Sequence, residues 1–227
     1  MASAIRLGLV FGSKLLLEGR KMLLGTQPDF DVVYQQTEGE VAVADLLTVE
    51  VDVVMVDNRL TSLPGSDFVR RFIRRNQGSL SNMPAFILTG PFNSDAMKLE
   101  SIRSGASDFV TEEDSAEDFI QSIRKSRDLE RNTDVAGLVE FFESCGIEAG
   151  SNKRWLLRLT ELTDQETQIV ESLSGLSNSS ELASRTGMIQ TQVRWNLDSI
   201  QEKLGLATRS QLVLALHESG LFLPEGN

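Results

Sequence analysis

The feature that most constrains this chain is an alternation in its first half. A short apolar run is followed by an amphipathic stretch, and the pair recurs five times before about residue 130. Residues 5–10, 51–56 and 85–88 are the apolar runs, 31–34 is β-branched and aromatic, and 109–110 is a shorter fifth. The stretches between and after them, 14–24, 38–48, 67–76, 95–104 and 116–129, carry apolar residues at helical spacing, as in Phe68, Phe72, Ile73 or Phe119, Ile120, Ile123. Strand then helix, repeated, predicts a parallel sheet with helices on both faces. The runs show no polar alternation, as expected of strands covered on both sides.

The chain then changes character. Residues 132–151 hold one amphipathic piece, 135–142, and end in the breakers Gly150 and Ser151. This predicts a linker with one extra helix, whose apolar face of Leu138, Phe141 and Phe142 must be buried against something. Trp155 is expected to pack on that helix. Beyond it the pattern is all-helical, with helices expected over 163–173, 180–186, 190–204 and 210–218. Thr163 with Glu166 three residues later makes a capping box, and Gly187 and Gly205 act as stops. A short helix, a glycine turn and a longer helix form the helix-turn-helix pattern.

Composition narrows the function. Hydrophobic residues at 41% and charged residues at 24% fit a globular chain. A lone cysteine, Cys145, and a lone histidine, His217, leave no disulfide framework and no zinc cluster. The start of the chain does not read as a signal peptide, and no run reaches the roughly 18 apolar residues of a membrane span. A cytoplasmic protein without a membrane role is expected. No nucleophile–base pair, acid dyad or metal set points to an enzyme, and no cofactor is expected. The net charge is −11, and residues 155–227 hold 5 basic against 9 acidic side chains, a poor field for a nucleic acid.

Five βα units followed by a four-helix tail resemble bacterial response regulators of the NarL/FixJ class, which join a receiver domain to a LuxR-type helix-turn-helix. In the tail, Leu162–Thr163 with Glu166, Gly175–Leu176–Ser177–Asn178, Glu181–Leu182–Ala183, Val193–Arg194, Ile200 and Lys203–Leu204–Gly205 carry the likeness. In the first half it is carried by Asp57, Gly65 eight residues on, Thr89, Gly105–Ala106 and Phe109. The resemblance implies an α/β doubly wound, flavodoxin/CheY-like receiver of five parallel strands over residues 1–130. A linker over 131–157 and a small all-α four-helix domain over 158–227 would follow.

It also implies site residues. The third tail helix would enter the major groove, with Arg194 at a phosphate or base edge and Gln190, Thr191, Gln192 and Asn196 as hydrogen-bonding candidates. Lys203 and Arg209 would hold the DNA backbone. The alternative is that Arg194 and Lys203 are solvated surface offset by Asp198 and Glu202. The last helix carries Leu212, Val213, Leu216 and Leu221, suited either to a homodimer or to packing within the tail.

Asp57 stands at the family's phosphoacceptor position. Receivers hold Mg²⁺ with two adjacent acids after the first strand, and here those positions are Phe11 and Gly12. The lysine that pairs with the phosphoryl group is replaced by Glu112. Phosphoryl transfer needs its charge offset, so the resemblance is to a degenerate receiver. Phe11, Gly12, Thr89, Phe109 and Glu112 would line a pocket for no phosphate, and Asp57 would hydrogen-bond locally, for example to Thr89. The expected function is a DNA-binding, dimeric transcription regulator independent of phosphorylation, with a protein partner at the receiver as an input. A protein-interaction module acting through another regulator, or a conventional phosphorylated regulator, are the alternatives.

Overall fold

The computed structural model describes residues 4–76, 83–128, 135–152, 154–173 and 179–221. The motif at 175–178 therefore lies outside the described residues. The chain divides into two compact units, residues 1–128 and 129–227.

The first unit runs β1 (Ile5–Val10), α1 (Lys14–Leu24), β2 (Phe30–Gln36), α2 (Gly39–Asp45), β3 (Val53–Asp57), α3 (Gly65–Arg75), β4 (Ala85–Gly90), α4 (Asp95–Ser104), β5 (Asp108–Thr111) and α5 (Ala116–Asp128). All strand pairs are parallel, in the order β2-β1-β3-β4-β5. The expected doubly wound sheet is present, and its order reverses at β1 and β3, where such folds place their sites. Alternation along β3 sends Val54 and Val56 into one core with α2 and α3, and Val53 and Met55 into the other with α1 and α5. Phe86 of β4 meets Phe68 and Phe72 of α3 edge to face at 6.2 and 5.1 Å, fixing that helix on the sheet.

The second unit holds α6 (Val135–Ser144), α7 (Arg154–Leu159), α8 (Asp164–Ser172), α9 (Ser179–Thr186), α10 (Gln190–Leu204) and α11 (Arg209–Ser219). The capping box forms on α8: the Thr163 hydroxyl accepts from Glu166 N, and Glu166 Oε2 accepts from Thr163 N. Gly187 and Gly205 take left-handed φ of +70° at the stops.

The segment expected as a linker packs into this unit. Phe142 of α6 is fully buried, with its ring 6.0 Å from that of His217 in α11. His217 Nε2 donates to Ile147 O at 2.9 Å, which fixes its tautomer. Gly150 N and Asn152 N donate to the carbonyls of His217 and Glu218. The Trp155 indole N–H donates to Glu218 Oε2 on α11. Arg158 donates to Leu204 O at the end of α10. Leu212, Val213 and Leu216 are buried inside the unit, so packing within it accounts for those three, whereas Leu221 is 46% exposed. Among the described residues, no helix is long and apolar enough to cross a membrane.

Candidate functional site

β3 ends in Asp57, and the chain must leave the sheet there within a few residues. It does so tightly. A side chain at Gly65 would meet Asn58 Cα at 2.9 Å and Asp57 O at 3.1 Å, so only glycine lets α3 start against this loop. Asn58 Oδ1 caps that start by accepting from Ser66 N. Asp57 is 3% exposed, paired in register with Thr89 of β4, and Asn58 N donates to Thr89 O.

A buried carboxylate needs partners. Asp57 finds them two residues along its own chain. Its Oδ1 accepts from the Arg59 backbone N–H at 2.9 Å and from Arg59 Nε at 3.3 Å. The expected bond to Thr89 is replaced by this one. The same guanidinium reaches across to β5's end, where Arg59 Nη2 donates to Glu112 Oε1. One arginine thus bridges the phosphoacceptor position and the residue standing where receivers carry lysine. Burial works to lower the Arg59 pKa, but the bond to Glu112 and the charge of Asp57 outweigh it, so the guanidinium is held more firmly charged. Arg20 adds a second cation near Glu112. It lies 4.0 Å over the Phe119 ring, and burial lowers its pKa while Glu112 pulls it up.

The other expected pocket residues take different places. Gly12 is exposed, and a side chain there would come nearest Arg59 O, at 3.7 Å. Phe11 is 2% exposed and joins Leu7, Leu17 and Phe119 in the core on the α1 and α5 side. Phe109 points inward, in contact with β4: a side chain at Gly90 would lie 2.7 Å from its ring. Asp57 and Glu112 therefore meet through Arg59, whereas Phe11 and Phe109 serve the two cores. Sequence spacing missed Arg59 because its role depends on the turn after β3, which brings its side chain to both Asp57 and Glu112. Among the described residues, no group of three or more His, Cys, Asp or Glu side chains is arranged to hold a metal ion.

On the second unit, α10 buries Val193, Leu197, Ile200 and Leu204 at 4% exposure or less. Gln190, Thr191 and Arg194 are exposed, as a reading face requires. Gln192 is exposed too, but its Oε1 accepts from Ile189 N and caps the helix. Three expected DNA contacts turn inward. Asn196 is 3% exposed and donates to Gln192 O of its own helix. Lys203 donates to Glu166 Oε2 at 2.7 Å. Arg209 is 4% exposed at the start of α11. Glu166 collects Lys203, Ser199 and Thr163. Burial would raise its pKa, yet these bonds bring it down to about 2. The residue missed by sequence reading is Trp195, which stands 70% exposed beside Arg194.

No protein-family model matches the chain. Relatives span its whole length. It is 26% identical over 227 residues to the DNA-binding transcriptional activator DevR/DosR of Mycobacterium tuberculosis, covering 98% of this chain and 99% of that one. It is 21% identical over 206 residues to the transcriptional regulatory protein YdfI of Bacillus subtilis, covering 90% and 91%. Among solved structures, the signal receiver domain of the response regulator NarL from Mycobacterium tuberculosis superposes with a TM-score of 0.50 at 16% identity. That match covers 56% of this chain and 98% of the domain, and it bears on fold alone.

Proposed function

We propose that the chain is a response regulator of the NarL/LuxR type, a DNA-binding transcription regulator whose receiver works without phosphorylation. The observation that carries this reading is the Arg59 bridge. A receiver that accepts phosphate needs a divalent cation beside its aspartate and a cationic group for the phosphoryl oxygens. Here a covalently attached cation already neutralises Asp57, and the opposite wall presents the carboxylate of Glu112. A phosphoryl group arriving at Asp57 would displace Arg59 and face Glu112 at close range. Mg²⁺ is a hard, strongly hydrated ion, and Phe11 and Gly12 give it no oxygen ligand from their side chains.

The output reading rests on α10. Its exposed Gln190, Thr191 and Arg194 match the reading end of a helix that enters a major groove. Homodimerisation on a two-fold operator goes with this reading, through surfaces other than the buried α11 stripe. Input by a protein partner at the receiver fits a site whose charges are already internally paired.

Intact-mass measurement after acetyl phosphate and Mg²⁺ tests the first part, with no added phosphoryl mass expected. Fluorescence polarisation of the full-length chain against duplex DNA, scanned over salt, tests the second. A measurable affinity that falls with salt is expected. Phosphoryl uptake, or the absence of DNA binding at any salt, would overturn the corresponding half.

A further inference from the structure

We propose that the cleft between α4 and α5, over β5, is a binding site for a free acidic amino acid. The cleft has a volume of about 210 Å³. That is below the roughly 300–1,000 Å³ of a cofactor or drug-sized site, so its occupant is a small metabolite. β5 is an edge strand of the sheet, yet it offers little to an added strand. The N–H groups of Phe109 and Thr111 are already taken by the Asp108 and Asp114 carboxylates. A peptide pairing with this edge would have to displace both. The site is separate from the Asp57 loop, and the inference holds whether or not the chain binds DNA.

The two walls bring charges of both signs to the cleft. Asp118, Gln121, Ser122 and Lys125 lie at i, i+3, i+4 and i+7, on one face of α5, and all line it. Lys98 enters from α4 and is half-buried. Among the described residues, neither Lys98 nor Lys125 has a carboxylate within ion-pair distance, because the acids near them are engaged elsewhere. Glu100 pairs with Arg70. Asp108 gives one oxygen to Phe109 N and the other to the Ser122 hydroxyl. Asp114 and Asp118 each spend one oxygen, on Thr111 N and on the Ser115 hydroxyl, and keep the other. Half-buried charges without counter-ions favour a ligand that supplies them. A dianion would leave the two aspartates unanswered, and a diamine the two lysines. An acidic amino acid answers both. Its ammonium group goes to Asp114 and Asp118, its α-carboxylate to Lys98, and its second carboxylate toward Lys125, about 10 Å farther along α5 than Asp118.

The experiment titrates the full-length chain with L-glutamate at constant ionic strength, followed by amide proton–nitrogen correlation spectra. A ligand of about ten heavy atoms should bind with a Kd on the order of 1 mM. The amides of Asn93, Lys98, Gln121 and Ser122 should shift. 2-Oxoglutarate lacks the ammonium group and L-glutamine the second carboxylate, and each should bind about tenfold more weakly. Lys98→Met should weaken glutamate binding about tenfold. Asp118→Asn should erase the preference for glutamate over 2-oxoglutarate. Asp118 also bonds Ser115 at the start of α5, so the comparison of the three probes on the wild-type chain decides even where that variant unfolds. No shift at millimolar glutamate, shifts confined to residues outside the cleft, or 2-oxoglutarate binding as tightly as glutamate would each overturn the inference. None of these readouts involves DNA, so their failure leaves the DNA-binding reading standing.

Discussion

The Asp57 loop and the α10 helix treat charge in opposite ways. At the loop, sequence positions that should supply a cation do not, and the cation comes from Arg59, two residues past Asp57. On the helical unit, positions that should supply cations to a ligand do carry them, and the fold turns them inward, Lys203 to Glu166 and Arg209 to the interior. The first unit creates a charge pair where the sequence suggests a deficit. The second consumes cations that its acidic composition already makes scarce. In both cases the local geometry of a loop or helix decides, because an arginine or lysine side chain reaches far enough to serve either solvent or a neighbour.

The sharpest break in this comparison is acid. Glu166 is buried, its pKa lies at about 2 instead of 4.5, and it ties α8 to α10 through Lys203 and Ser199. A depressed carboxyl pKa contributes stability that is complete above its unfolded value and is lost as pH falls through the folded value. The second unit should therefore lose about 3 kcal/mol as pH falls from about 4.5 to about 2. Circular dichroism of urea unfolding at successive pH values measures it. Glu166→Gln should remove this pH dependence, leaving a less stable unit at neutral pH. An unchanged slope would mean that Lys203 is not held by Glu166 and is available to DNA after all.

DNA binding offers the next test. Arg194→Ala should cost about 1–3 kcal/mol of specific affinity, the worth of one good base contact. Lys203→Met, by contrast, should lower the unfolding midpoint while leaving the salt dependence of binding nearly unchanged, since a lysine engaged with Glu166 neutralises no phosphate. Polarisation titrations across salt distinguish the two. A salt slope shallower by about one for Lys203→Met would place that lysine on the backbone.

The difference between the two regions also explains what the residues made legible. Periodicity exposes the sheet and helices because burial is a property of a whole face. Every expected strand formed, and Thr163 with Glu166 capped α8 as their spacing predicts. The pairing of Asp57 with Arg59 was not legible, because a contact two residues apart depends on the turn after β3, which Gly65 permits through a close approach that no pattern records. Asn196 illustrates the opposite failure. It occupies an expected reading position, but that side of the helix faces Met188 and the α10 backbone. Trp195 stands among mostly polar residues, and its exposure follows from its place about 200° around α10 from Val193.

The smallest expected effect tests the loop itself. Arg59 and Glu112 are both more than a third exposed, so solvent screens their attraction even though the guanidinium also contacts buried Asp57. A double-mutant cycle of Arg59→Ala with Glu112→Ala should give a coupling of about 0.5 kcal/mol. A cycle of Arg59→Ala with Asp57→Asn should give more, about 1 kcal/mol, because Asp57 is buried and its carboxylate accepts from Arg59 Nε, the backbone N–H bond being kept in the alanine variant. The order of the two couplings is the point. If Glu112 couples more strongly than Asp57, the arginine belongs to the β5 wall, and Asp57 is closer to an open phosphoacceptor than its burial suggests. If Asp57 couples more strongly, the cation is part of the β3 turn, and the receiver carries its own permanent substitute for the ion it does not bind.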